Sequence, residues 1–183
     1  PHGGGGPGAG PVGVREKLAA YLPVSRVVRR ADGMYALNYD YPQSIGYIAS
    51  FYGNFAVILK AYVYVLLLGG EGLRETSAQA VLNANYLRVK LRDAFLPAQD
   101  RLCMHECVFS ALRQAQKGVR AIDIAKFLID NGIHPPTVYF PLTVREAMMI
   151  EPTETESKAT LDYFVEVMRE AAALAQSNPG AFA

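Results

Sequence analysis

The chain has 183 residues, 51% of them hydrophobic and 19% charged, enough for one globular domain or one and a half with a sizeable core. Eighteen Lys and Arg against 17 Asp and Glu leave a net charge of +1, without the basic excess expected of a nucleic-acid binder or of a partner for anionic membranes. Two cysteines, Cys103 and Cys107, are too few for a secreted disulfide scaffold.

In chain order, Pro1-His2-Gly3-Gly4-Gly5-Gly6-Pro7-Gly8 opens the sequence without the apolar core of a signal peptide. Val14 to Leu22 is a short amphipathic stretch closed by Pro23. Residues 24–40 alternate around Asp32-Gly33, which predicts a β-hairpin turn. Phe55 to Leu68 is the most apolar run. It is shorter than the ~20 residues a bilayer span needs and Lys60 interrupts it, so it reads as a buried helix and not a membrane segment. Gly69, Gly70 and Gly72 stop that helix and mark a junction. A second helix runs from about Gly72 to Ala94, with Leu73, Ala80, Val81, Ala84, Leu87 and Leu91 on one face.

After Pro97, Cys103 to Leu112 predicts a strand and Ile122 to Asn131 a helix ending at Asn131-Gly132. On such a strand the two cysteines would lie about 13 Å apart, beyond the roughly 7 Å a disulfide allows. Both therefore read as reduced thiols in a cytoplasmic setting. Thr137 to Phe140 and Ala147 to Ile150 are two more strands. Thr153 with Glu156 forms a capping box for a last helix, with Glu151, Glu154 and Glu156 as its acidic first turn and an end near Gln176. Asn178-Pro179-Gly180 then frays into the terminus. Three strands under covering helices make a small α/β sandwich.

Chemistry is concentrated in few places. Successive backbone N–H groups in a glycine run can cradle a phosphate, yet the run at Gly3 to Gly6 fits neither a Walker loop nor a dinucleotide turn. On a strand, Cys103, His105 and Cys107 would share a face, but a structural zinc site needs a second ligand pair that the sequence lacks; no metal is expected. Lys60 in its apolar surroundings has the makings of a Schiff-base nucleophile, but a lysine that snorkels to water is the plainer reading.

Three stretches together resemble one family. They are Pro1 to Val14; Val81-Leu82-Asn83-Ala84-Asn85-Tyr86-Leu87-Arg88; and Gly132 to Pro141 followed by Met149 to Lys158. They resemble the glycine dehydrogenase (decarboxylating) family, the P-proteins of the glycine cleavage system. Ser50-Phe51-Tyr52-Gly53-Asn54-Phe55 resembles the separate-subunit form called subunit 2. Residues 96–120 carry the least of the likeness.

The resemblance implies an α/β fold: the C-terminal part of a fold-type-I pyridoxal-phosphate-dependent transferase, with a small domain of about three strands covered by helices. Residues 1–70 would close the large cofactor-binding domain and residues 71–183 form the small domain. The cofactor is pyridoxal 5′-phosphate, and its Schiff-base lysine, in a His-Lys-Thr-Phe context, would precede Pro1. That leaves no catalytic residue in this chain, which would then be a fragment inactive alone. His2, Gly3, Gly4, Gly5, Gly6, Tyr52 and Asn54 are the expected cofactor-binding residues, and His134 a weaker candidate for the substrate pocket. The implied reaction decarboxylates glycine and passes the aminomethyl group to the lipoyl arm of the H-protein. Implied partners are glycine, the lipoylated H-protein and glycine dehydrogenase subunit 1, in a dimer of subunit pairs. The alternative is a non-catalytic domain retained for oligomerisation or partner docking.

Overall fold

The structure is a computed structural model that describes residues 8–48 and 54–182. It divides into two compact units, Pro1–Leu68 and Gly69–Ala183.

In the first unit, the amphipathic stretch forms only one helical turn, α1 (Glu16–Ala19). The hairpin forms as expected, from β1 (Arg26–Arg29) and β2 (Tyr35–Asn38), paired antiparallel with Arg26 opposite Asn38 and Arg29 opposite Tyr35. Its turn rests on two residues. Gly33 takes φ +84°, a conformation open to glycine at little cost, and the Asp32 carboxylate accepts the Met34 N–H at 2.9 Å.

Helix α2 (Phe55–Leu91) starts at Asn54, whose side-chain oxygen accepts the Val57 N–H at 3.3 Å. It breaks at Gly69, where φ 62° and ψ −174° leave the helical region. The expected burial of Phe55–Leu68 is not found: Phe55 is 70% exposed, Leu66 64% and Leu67 80%. Among the described residues of its own unit, no second apolar layer lies against it. By length and composition α2 is apolar enough to cross a membrane, with mean hydropathy 1.6 over a window of which none is buried. The break decides against that reading. From Phe55 to Leu68 the helix rises only about 21 Å at 1.5 Å per residue, against a hydrocarbon thickness of about 30 Å.

The second unit carries the core. Its sheet has four antiparallel strands in the order β3-β4-β6-β5: β3 (Leu96–Pro97), β4 (Cys107–Ser110), β5 (Thr137–Val138) and β6 (Ala147–Ile150). The central pair sets Cys107 opposite Ile150 and Ser110 opposite Ala147. Over it lie the second half of α2, α3 (Leu112–Ala115), α4 (Ala121–Asp130) and α5 (Lys158–Ser177). Leu87, Leu91, Phe95, Phe109, Ile124, Leu128, Met148 and Met168 are at most 1% exposed and form the centre of the core. The Phe95 and Phe109 rings meet edge to face at 6.5 Å.

Several expected boundaries move. The strand predicted from Cys103 shrinks to Cys107–Ser110, because the Cys103 backbone is bonded to Asn85 instead of to a strand. Its far end turns into α3. The capping box at Thr153 does not form. The Thr153 carbonyl accepts from Asn83 and the Thr153 hydroxyl pairs with Thr155, and the cap falls four residues later at Ser157, whose hydroxyl accepts the Thr160 N–H at 3.1 Å. Glu151, Glu154 and Glu156 consequently precede the helix. The end of α4 matches expectation, with Gly132 at φ 72° and its N–H bonded to Ile129. The C-terminal Pro179–Phe182 is a 3-10 turn, not a frayed end, and it packs Phe182 on Phe127 at 5.5 Å.

Candidate functional site

The motif Val81 to Arg88 lies on α2 and projects two asparagines. Asn83 is buried, and its amide nitrogen donates to the Thr153 carbonyl at 2.9 Å while its oxygen accepts from Gln79 at 2.7 Å. Asn85 holds Cys103 at both ends. It accepts the Cys103 N–H at 3.1 Å and donates to the Cys103 carbonyl at 2.7 Å. One helix thereby fixes two loops from opposite sides, one leading into β4 and the other leaving β6. Asparagine suits this task because its amide carries donor and acceptor in one planar group.

Each anchor lies two residues from an ionisable side chain. Beyond Cys103 come His105 and Glu106; before Thr153 comes Glu151. His105 Nε2 is 3.4 Å from Glu106 Oε1 and 3.9 Å from Glu151 Oε1. Cys107 pairs with Ile150, so Glu106 and Glu151 are the next residues along the chain just beyond the ends of the two strands. This is the densest group of ligand-type side chains among the described residues, with all three ligand atoms within 4.8 Å of one another.

The sequence motif around His105 therefore works differently from expectation. Residues 103–106 are not in a strand, so Cys103, His105 and Cys107 do not share a strand face. Both cysteines are free thiols, as expected. Cys107 faces the core, and burial pushes its thiol far above the usual range, with the neighbouring Cys103 adding to the effect. Burial also raises Cys103. Arg88 opposes both shifts but does not overcome the loss of hydration. Its Nε is itself buried without a hydrogen-bond partner, and its NH1 lies 3.6 Å from Asp100.

The other sequence-derived residues fall as follows. His2, Gly3, Gly4, Gly5, Gly6 and Tyr52 lie outside the described residues. Asn54 is half-buried and caps α2. His134 is exposed, just ahead of Pro135-Pro136. Sequence reasoning had no role for Asn83, Asn85 or Glu106, and it put Glu151 in a helical turn. The repeated Asn-x-Asn spacing on a helix was the available signal for the clamp.

All six lysines, Lys17, Lys60, Lys90, Lys117, Lys126 and Lys158, are exposed. Lys158 is bonded to Asp162 at 2.5 Å, and that hydrogen bond raises its pKa above the ordinary value.

Residues 76–178 match the family model described as "Glycine dehydrogenase, C-terminal domain". The chain belongs to this glycine dehydrogenase family. Its relatives include the "Probable glycine dehydrogenase (decarboxylating) subunit 2" of Caldanaerobacter subterraneus subsp. tengcongensis, 57% identical over 98% of this chain. The protein of the same name from Treponema denticola is 58% identical over 98%. In both cases the chain spans 37% of the relative's length. Among solved structures it resembles glycine decarboxylase (P-protein) of the glycine cleavage system in inhibitor-bound form. The TM-score is 0.68 at 17% identity, over 85% of this chain and 37% of that one. The serine palmitoyltransferase of Sphingomonas wittichii gives a TM-score of 0.52 at 15% identity, over 67% of this chain and 30% of that one. These two likenesses are of fold, and they agree with an α/β chain from the C-terminal part of a larger fold-type-I architecture.

Proposed function

We propose that this chain is the C-terminal portion of a pyridoxal-phosphate-dependent glycine decarboxylase of the glycine cleavage system. The observation that supports it is identity above 50% to glycine dehydrogenase subunit 2 proteins across nearly the whole chain. In this reading residues 1–70 complete the large cofactor domain and residues 71–183 are the small domain. The complete protein works with glycine, a lipoylated H-protein and a glycine dehydrogenase subunit 1, as a dimer of subunit pairs.

The described residues do not fit a covalent anchor for the cofactor. Such an anchor is a lysine amine kept unprotonated by desolvation or by a neighbouring cation. Every lysine here is exposed, and the one with a shifted pKa is shifted towards the charged form. The anchor therefore belongs to the part of the protein that this chain does not span, and the chain alone is inactive.

What these residues contribute is a surface around the reaction. Gly3 to Gly6 give a backbone without Cβ atoms that can approach an anionic ligand closely, and His2 lines the same path. The proposed role of Tyr52 and Asn54 is to reach the cofactor phosphate or the partner subunit's site, and Asn54 also starts α2. His134, exposed on its loop, is the weaker candidate for a substrate-pocket residue. In the complete protein the cofactor supplies the electron sink for loss of carbon dioxide from glycine.

The test is exchange of labelled bicarbonate into glycine by the complete protein, wild type against Gly4→Ala and Gly5→Ala. Loss of exchange with folding retained supports the loop role. Full exchange in both variants removes the loop from the site.

A further inference from the structure

We propose that His105, Glu106 and Glu151 form a binding site for a divalent transition-metal ion of the Zn2+ type. The β4–β6 ladder ends at the Cys107–Ile150 pair, and Glu106 and Glu151 are the next residues along the chain beyond it. The ligand atoms of the two carboxylates and of His105 lie within 4.8 Å of one another, a separation at which the like charges of the carboxylates repel and a bound cation is favourable. His105 brings an imidazole nitrogen to that place, 3.4 Å from one carboxylate oxygen and 3.9 Å from the other.

The spacing suits an ion held at about 2.0–2.2 Å by nitrogen and oxygen ligands, since tetrahedral ligands at that radius are about 3.3 Å apart. The side chains need only draw inward slightly from their present mutual distances, all within 4.8 Å. One imidazole with two carboxylates selects a borderline ion over Ca2+ or Mg2+, which favour oxygen ligands alone. Three protein ligands leave a fourth position for water, and the side chains are 53%, 33% and 22% exposed for His105, Glu106 and Glu151, so an ion can enter.

The backbone is fixed in advance. Asn85 holds Cys103 by two hydrogen bonds and Asn83 holds Thr153 by one, so the ligands come from two loops anchored to one helix. The ligand set excludes Cys107, which is 2% exposed and packed in the core.

The test uses the complete protein, stripped with a chelator and titrated with Zn2+ by calorimetry and with Co2+ by absorption. The expected result is one bound ion per chain that Glu151→Gln and His105→Ala each weaken by about tenfold or more. Cys103→Ser should leave the affinity unchanged, and the cobalt spectrum should lack a thiolate charge-transfer band. A rise in Tm on adding Zn2+ to wild type, absent in Glu151→Gln, separates loss of the site from loss of the fold. Three results would overturn the proposal: binding unchanged in both ligand variants, binding lost in Cys103→Ser, or no stoichiometric ion in the wild type. The last would leave the three side chains as a polar surface cluster without an ion.

Discussion

The side chain of Asn85 takes both backbone hydrogen-bonding groups of Cys103, donating to the carbonyl at 2.7 Å and accepting the N–H at 3.1 Å. The contact joins positions 18 residues apart. It also explains why the chain around Cys103 is not a strand.

Asn85→Ala should therefore be costly. It leaves a half-buried N–H and C=O of Cys103 without partners, and unmade bonds of this kind cost about 1–3 kcal/mol. Urea unfolding of the complete protein, followed through its C-terminal unit, should show a loss in that range. A change under about 0.5 kcal/mol, the scatter of ordinary surface substitutions, would mean that the loop holds its shape without the clamp.

The cysteines should differ sharply from the surface in reactivity. The nucleophile is the thiolate, and burial keeps the Cys107 thiol protonated well past neutral pH. At pH 8, peptide mapping after treatment with a thiol reagent should show Cys107 unlabelled in the native protein and labelled in denaturant. Cys103, half-buried and less strongly raised, should label slowly. Native labelling of Cys107 at the rate of Cys103 would contradict the packing described for β4.

A pH effect follows from the group on α5. The Lys158 amine donates to Asp162, as does the Tyr86 hydroxyl, and these bonds hold the Asp162 carboxyl below its ordinary value. A lowered carboxyl stabilises the fold above its unfolded pKa of about 3.9 and loses that contribution as pH falls through the folded value. For Lys158 the shift is upward, so its contribution is present below its unfolded pKa of about 10.4 and is lost as pH rises through the folded value. Asp162→Asn should thus be less stable than wild type between those limits, and the two curves should converge in acid. Parallel curves down to pH 2, measured by thermal unfolding, would show that the network contributes nothing.

How much of this could be read in the residues depends on how local each signal is. Asp32-Gly33 specifies its own turn, and Ala147 to Ile150 its own strand, so both were legible. The start of α5 was not: the Thr153 hydroxyl pairs with Thr155, its carbonyl accepts from Asn83, 70 positions earlier, and Ser157 supplies the working cap. Apolar composition correctly marked Phe55 to Leu68 as helical, but composition carries no record of what lies against a helix. The grouping of His105 and Glu106 with Glu151 arises from strand register between distant segments. Local periodicity does not contain that register, so Glu151 read only as an acid near a helix start.

Borohydride reduction in the presence of pyridoxal 5′-phosphate, followed by peptide mass mapping, tests most directly whether the cofactor's covalent anchor lies outside this chain. The complete protein should carry one reduced adduct, on a lysine outside these 183 residues, while Lys17, Lys60, Lys90, Lys117, Lys126 and Lys158 stay unmodified. A stoichiometric adduct on any of those six, Lys60 above all, would contradict the account.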